Sequence, residues 1–482
     1  MDHVDVLIVG AGLSGIGAAW HLQTLCPQHS YAIVEARDAI GGTWDLFRYP
    51  GVRSDSDMYT LGYRFKPWKQ AKAIADGPSI REYVCETARE NGIDKQIRFG
   101  HRVRAAAWSS KEARWSVDID RGNGAAPEQI SCNFLYLGAG YYRYDAGYTP
   151  DLPGIDSYRG RLVHPQHWTD DIDPTGKRIV VIGSGATAIT LLPALACTAA
   201  HVTMLQRSPT YVAALPAEDA AALWLQRHLP PTWAYALTRW RRLLWGMAIF
   251  QMCRRNPEGM KHLLLARARA ALPAGYDVGK HFTPRYKPWQ QRLCLAPDGD
   301  LFKAIRSGKA SVVTDQIDRF TETGITLQSG QQLDADLIIT ATGLNLQVFG
   351  GVQLTVDGQL VDPAHAMAYK GFLISGLPNF ASCFGYTNAS WTLKADLTSQ
   401  FLCRLLNHMR RKGFTRCVPR NDDPAMAELP WVDFSSGYFQ RALDRLPRQG
   451  SRPPWKLHQN YLLDILQLRL GTLNDKVLQF HR

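Results

Sequence analysis

The sequence predicts an α/β protein in which one strand–turn–helix unit is used twice. Two observations carry this expectation. Apolar runs at residues 4–9 and 178–182 each lead into a glycine turn and then a helix-like stretch, at 16–25 and 189–195. Both turns keep the Gly-x-Gly-x-x-Gly/Ala spacing.

The first turn reads Gly10-Ala11-Gly12-Leu13-Ser14-Gly15, the second Gly183-Ser184-Gly185-Ala186-Thr187-Ala188. Glycines at these places permit a tight bend and close backbone approach. The helix N-terminus then offers free N–H groups to a pyrophosphate. Gly10, Gly12, Ser14 and Gly15 are therefore candidate contacts to one dinucleotide. Gly183, Ser184, Gly185, Ala186 and Thr187 are candidate contacts to another. What closes the next strand separates the two copies. Glu35 follows residues 31–34, where a carboxylate accepts ribose hydroxyls, whereas Arg207 follows residues 201–205. A guanidinium suits a 2′-phosphate that a carboxylate would repel, and Ser208 supplies a second contact. The pairing points to FAD in the first unit and NADPH in the second, hence two Rossmann-like dinucleotide-binding domains.

With 482 residues, 45% hydrophobic and 20% charged, the chain has room for two or three ordinary globular domains. Its net charge of +12 is met by two polyanionic cofactors; no DNA- or RNA-recognition module is visible. The nine cysteines (26, 85, 132, 197, 253, 294, 383, 403 and 417) form no C-x-x-C and no metal-like pairing. That argues for reduced thiols, for no metal site and against a disulfide reductase. A strand from Val4 leaves no space for a signal peptide, and no apolar run is long enough for a bilayer span. The expectation is a cytoplasmic protein.

Along the chain, residues 1–140 and 335–482 are expected to build the FAD-binding domain and 141–175 a crossing linker. Residues 176–334 are expected to build the NADPH-binding domain. Within the latter, residues from about 210 to 280 form a helical insertion with Trp224, Trp233, Trp240 and Trp245 among arginines. Its apolar stripe at 237–254, beside Arg239, Arg241 and Arg242, has two readings. One is a helix packed on its own domain; the other is a basic amphipathic face that touches lipid as a peripheral contact.

Two further motifs make the chain resemble the Baeyer–Villiger flavin monooxygenases. Gly41-Gly42-Thr43-Trp44, then Tyr49-Pro50-Gly51, then Asp55, matches the family's [A/G]-G-x-W-x4-[F/Y]-P-[G/M]-x3-D signature at every fixed place. In the linker, Tyr158-Arg159-Gly160, then His164, then Trp168-Thr169-Asp170 resemble its F-x-G-x3-H-x3-W-[P/D] fingerprint, with the spacing of Gly160, His164 and Trp168 intact. Tyr158 replaces Phe, and Thr169 stands where Pro or Asp is usual. Runs at 44–51, 164–168, 292–295 and 385–391 carry a closer likeness to the shorter members typified by the ethionamide-activating type. The resemblance covers nearly the whole chain.

The resemblance implies that ketones are converted to esters or lactones with NADPH and O2 through a C4a-peroxyflavin, with sulfoxidation or thioamide oxidation as side activity. Arg292 stands where the family's active-site arginine is expected, as the fixed cation beside a buried anion, and Asp55 is its carboxylate partner. Asp55 also has a plainer reading, as a helix cap within residues 54–57. Thr43 and Asp45 are expected to approach the flavin, Trp44 to wall it, and Val103 is counted with the flavin contacts. Arg53 and Ser54 are expected on the nicotinamide side. His164 is read as a linker residue, not a base, and Trp391 as either pocket lining or core. The nearest rival is an N- or S-oxygenating flavin monooxygenase, whose fingerprint ends in Tyr or Phe where this chain has Trp168. A remoter one is a non-catalytic flavoprotein redox sensor. The sequence leaves the particular ketone or sulfide open, since apolar pockets discriminate weakly among near-isosteres.

Overall fold

The structure is a computed structural model that describes residues 2–122, 124, 126–291 and 293–482. At the centre of the first sheet Asp2–Val9 runs parallel to Tyr31–Val34 on one side and Glu128–Leu137 on the other. Val6, Leu7 and Ile8 are wholly buried. Strands covered on both faces read as unbroken apolar runs, which is why residues 4–9 stand out in the sequence. Ile97–Arg98 extends the parallel edge. Arg102–Ser109 and Arg114–Asp120 continue from Glu128–Leu137 as an antiparallel meander. Two later segments join this sheet: Gln353–Val356 pairs with Arg102–Ser109, and Phe380–Ser382 with Glu128–Leu137.

The second sheet is parallel throughout, in the order Ala310–Thr314, His201–Gln206, Arg178–Ile182, Leu337–Thr340, Arg161–Val163. It differs from expectation at two places. Leu337–Thr340 lies past the boundary expected at residue 335, yet it pairs with Arg178–Ile182. Arg161–Val163, expected in the linker, forms the edge of the same sheet. Leu337, Ile338 and Ile339 are fully enclosed at this interior place, between Arg178–Ile182 and Arg161–Val163.

In each sheet the strand preceding the glycine turn ends level with its two neighbours. Val9 is in register with Val34 and Leu137, and Ile182 with Leu205 and Thr340. Carboxyl ends of parallel strands, where the strand order reverses, are where open α/β sheets bind ligands.

The fingerprint residues brace the chain between the two sheets. The Tyr158 hydroxyl donates to the Ala335 carbonyl at 2.9 Å, so the hydroxyl that replaces a phenyl hydrogen finds a partner. His164 Nε2 lies 3.1 Å from the Gly343 carbonyl, and its Nδ1 accepts the Gln166 N–H at 3.2 Å. Burial holds its imidazole below the ordinary histidine value. Those bonds fit a structural role.

The insertion contains Ala220–His228, Pro231–Arg255, Pro257–Ala271 and Val278–Phe282. Its long helix does not pack on its own unit alone. Arg239, 5% exposed, donates to the carbonyls of Tyr59 and Gly62, both at 2.7 Å. These sit at the C-terminal end of helix Met58–Leu61 in the first unit, where a cation is favoured. The buried side of the long helix thus carries Tyr235, Thr238 and Arg239, while Trp233, Leu237, Trp240, Leu244 and Trp245 lie exposed. Ala234, Leu243 and Cys253 are buried with them, so the helix presents apolar side chains on both its covered and its outer face. No described helix is long and apolar enough to cross a membrane.

Candidate functional site

A cleft of about 920 Å³ lies at the carboxyl ends of both sheets and takes in both glycine turns. Gly10 has φ +102°, and a Cβ there would come within 2.8 Å of the Gly138 carbonyl oxygen. Gly183, at φ +136°, would meet the Ala341 oxygen at 2.3 Å. Neither position tolerates a side chain. At Gly185, by contrast, a Cβ would meet nothing within 4 Å, so this glycine faces open cleft.

The helices Leu13–Leu25 and Ala186–Leu195 share a further property. Neither has a side-chain N-cap bond or an acidic residue in its first turn. Their leading N–H groups are left for an external anion. This is an observation of the fold that fits two pyrophosphates.

Glu35 lines the cleft and is 6% exposed. Its Oε2 accepts the Ala11 N–H at 2.7 Å, and Oε1 accepts the Arg37 N–H at 2.9 Å. Burial pushes this carboxyl up, while those two N–H bonds and the Arg37 charge pull the other way. Each oxygen keeps a lone pair for a ribose hydroxyl. In the second unit Arg207 is exposed at the cleft, and no hydrogen bond or ion pair to its guanidinium occurs among the described residues. The Ser184 hydroxyl donates to the Ser208 carbonyl at 2.9 Å, which couples the glycine turn to this anion-binding corner. Ala186 and Thr187 line the same wall.

The 41–55 signature forms the opposite wall. Thr43, Trp44, Arg53, Ser54 and Asp55 line the cleft, as does Val103. Two of the expected contact residues, Asp45 and Arg53, have side chains engaged by the protein itself. The Asp45 side chain is wholly buried outside the cleft lining, in ion pairs with Arg37 (2.5 Å), Arg81 (2.9 Å) and Arg48 (3.1 Å). Burial alone would raise its carboxyl; the bond and charge of Arg37, with Arg81 and Arg48, hold it below the usual range. Its carboxylate thus braces the signature loop. Arg53 reaches the cleft, but its guanidinium donates to Asp300 at 2.5 Å and to the Leu295 carbonyl at 3.3 Å, tying the loop to the second unit. Ser54 is 4% exposed and accepts the Ser56 N–H at 2.9 Å.

The cap of helix Met58–Leu61 is Asp57, which accepts the Thr60 N–H at 3.1 Å. Asp55 is therefore not needed as a cap, and it lines the cleft. Arg292 lies outside the described residues; its neighbour Gln291 lines the cleft.

Sequence reasoning missed an aromatic group. Tyr141, Tyr142, Tyr144 and Tyr148 line the cleft directly after the Gly138–Gly140 turn. Tyr144 is half-buried and its phenol is raised, by desolvation first. Trp391 also lines the cleft: its indole stacks on Tyr141 with centroids 5.2 Å apart and its Nε1–H donates to the Ser14 hydroxyl at 2.7 Å. Arg441 lies 3.5 Å above the Tyr148 ring. Four tyrosines within eight residues of a glycine turn were a usable signal; nothing near Arg441 in sequence pointed to it.

Two dinucleotide-binding turns opening into one aromatic cleft define a flavoprotein of the two-dinucleotide class. Comparison with known proteins agrees. Residues 8–71 match the family described as NAD(P)-binding Rossmann-like domain and residues 73–221 the family described as flavin-binding monooxygenase-like. The FAD-containing monooxygenase EthA of Mycolicibacterium smegmatis is 56% identical over 480 residues, 99% of this chain and 97% of that protein. The putative FAD-containing monooxygenase MymA of Mycobacterium tuberculosis is 50% identical over 484 residues, 99% and 98% of the two chains. Among solved structures, an oxidised steroid monooxygenase bound to NADP superposes with a TM-score of 0.79 at 22% identity, covering 99% of each chain. A cyclohexanone monooxygenase with bound epsilon-caprolactone gives 0.78 at 18%, covering 100% of each. These two establish likeness of fold. The chain belongs to the family of FAD-containing monooxygenases that includes EthA and MymA.

Proposed function

We propose that the protein is a Baeyer–Villiger monooxygenase: ketone, NADPH, O2 and a proton give an ester or lactone, NADP+ and water. The observation that carries this reading is the meeting, in one cleft, of the Glu35-bearing turn, the Arg207-bearing turn and Asp55. FAD and NADPH, when bound, supply hydride transfer and the activation of dioxygen. The chain's residues do the rest. The two uncapped helix ends hold the pyrophosphates, Glu35 orients the flavin-side ribose, and Arg207 with Ser208 selects the 2′-phosphate. Trp44, Tyr141 and Trp391 wall the reacting region and exclude water, which strengthens every charge interaction there.

Arg292, on the motif alone, stabilises the negative charge that grows on the ketone oxygen as it is attacked. A guanidinium suits this because it stays protonated and donates several bonds at once. Asp55 compensates that cation and fixes its orientation. Thioethers and thioamides enter the same cleft as secondary substrates, since sulfur is readily oxygenated there. We also propose that the protein stays in the cytoplasm and meets membrane only peripherally, through the exposed tryptophan face of helix Pro231–Arg255.

The test is NADPH consumption by the FAD-loaded protein with and without a ketone, with products identified by mass spectrometry. Ketone-dependent ester formation supports the reading. Consumption that never yields an ester, but does yield sulfoxide or N-oxide, would favour the N/S-oxygenating class.

A further inference from the structure

Inside the 41–55 signature, residues 47–53 leave their own unit. Phe47, Tyr49 and Val52 are buried in the core of the second unit, in one cluster with Ile189 and Leu192 of helix Ala186–Leu195. The Tyr49 phenol reaches Thr187 and Thr190 on that helix. Gly51 lies flat against it: a Cβ there would come within 2.5 Å of the Thr190 carbonyl oxygen and 2.8 Å of the Ala194 Cβ. Its φ of +77° gives a second reason for glycine. This is the helix whose uncapped N-terminus is open to the second dinucleotide.

Arg53 closes the same contact from its other end. The main chain around it is stitched to the first unit: the Ser54 N–H donates to the Ala75 carbonyl at 3.1 Å, and the Gly77 N–H to the Val52 carbonyl at 2.8 Å. Its side chain, 12% exposed, crosses to the second unit. The guanidinium donates to both Asp300 oxygens, at 2.5 and 3.4 Å, and to the Leu295 carbonyl at 3.3 Å. Asp300 opens helix Asp300–Arg306, whose Leu301, Phe302 and Ile305 belong to the second unit's core. A fork on a carboxylate fixes direction as well as distance.

On either side of this stretch, Trp44 and Asp55 line the cleft. The wall of the first dinucleotide's site is thus joined to the helix beneath the second by one short segment, closed at Gly51 and gripped at Arg53. Hydride transfer requires reacting atoms about 3–3.5 Å apart. The two coenzymes are separate molecules, so the protein alone sets that spacing.

We propose that residues 47–53 are the spacer that sets the distance between the two coenzymes, with Gly51, Arg53 and Asp300 as positioning residues for flavin reduction. Arg53 acts through Asp300 and not as a contact to either coenzyme. This rests on the reading of the second unit as the NADPH site.

The test uses FAD-loaded protein and three readouts: NADP+ affinity by calorimetry, the change that NADP+ causes in flavin absorption, and the anaerobic rate of flavin reduction at saturating NADPH. Arg53→Met and Asp300→Asn should keep wild-type affinity for NADP+, give a smaller absorption change, and be reduced on the order of tenfold more slowly. Gly51→Ala should shift all three readouts in the same directions. Arg53→Lys, which keeps the charge but not the fork, should recover part of the rate. Wild-type rates and absorption changes in the Arg53 and Asp300 variants, with only Tm lowered, would overturn the proposal. Weaker NADP+ binding with an unchanged rate at saturation would also overturn it, by making Arg53 a coenzyme contact. If Gly51→Ala does not fold, the Arg53 and Asp300 variants decide the outcome alone. Wild type that does not bind NADP+ would instead defeat the NADPH-site reading.

Discussion

The indole N–H of Trp391 donates to the hydroxyl of Ser14 at 2.7 Å, joining the first turn of helix Trp391–Lys412 to that of helix Leu13–Leu25. The late helix is thereby registered on the first glycine turn. Trp391→Phe keeps the ring against Tyr141 but removes this bond. A neutral hydrogen bond contributes about 0.5–1.5 kcal/mol, so FAD affinity should fall by roughly two- to tenfold, read by flavin fluorescence titration. Trp391→Ala should lose more, because the stacking goes too.

Arg207→Ala should change coenzyme preference. A charge-assisted bond contributes about 1.5–3 kcal/mol, so kcat/KM with NADPH should drop by roughly ten- to a hundredfold while that with NADH stays level. Stopped-flow reduction with each nucleotide checks this; a parallel loss with both would mean that Arg207 does not read the 2′-phosphate.

Asp45 should make stability depend on pH at the acid end. Its folded value lies below the ordinary 3.8 because Arg37, Arg81 and Arg48 outweigh burial. For a depressed carboxylate the contribution is full above the unfolded value and is lost as pH falls through the folded one. Asp45→Asn should therefore lower Tm at neutral pH, and its deficit should shrink below about pH 4. A deficit constant from neutral to acid pH would show that packing, not charge, is what Asp45 supplies.

Arg239→Met should unpin the insertion. It leaves the carbonyls of Tyr59 and Gly62 without their donor and takes a cation 3.7 Å from Asp396, itself 4% exposed. Breaking a buried pair costs about 3–5 kcal/mol, visible as a lower Tm. Arg239→Lys should recover only part of it, since an ammonium cannot reproduce the fork.

The two turns were legible in the sequence because each is fixed by local rules: a buried apolar strand, glycines at set spacing, and a charged residue where the next strand ends. Glu35 and Arg207 both reach the cleft by that logic. Asp45 was not legible in the same way. Its partners at 37, 48 and 81 come together only in three dimensions, so its neighbour Thr43 faces the cleft while its own carboxylate turns inward. Residues 54–57 offered two acids for one helix cap, and the choice of Asp57 depends on where Thr60 presents its N–H. The buried cation of helix Pro231–Arg255 was hidden for a related reason. Periodicity marks an apolar face, but which face is covered depends on the carbonyls that Arg239 meets. Strand Leu337–Thr340 lies in the second sheet and not with the residues 335–482 it was grouped with, because an apolar run does not name its neighbours.

The most direct measurement is single-turnover oxidation by FAD-loaded wild type and Arg292→Ala, each reduced anaerobically with NADPH and then mixed with isotopically labelled dioxygen and a ketone. Wild type should return ester with one labelled oxygen. The variant should be reduced at the same rate yet make on the order of a hundred- to a thousandfold less ester, the usual loss for one such donor. Equal labelled ester from both proteins, or only hydrogen peroxide from wild type with every ketone, would contradict the account.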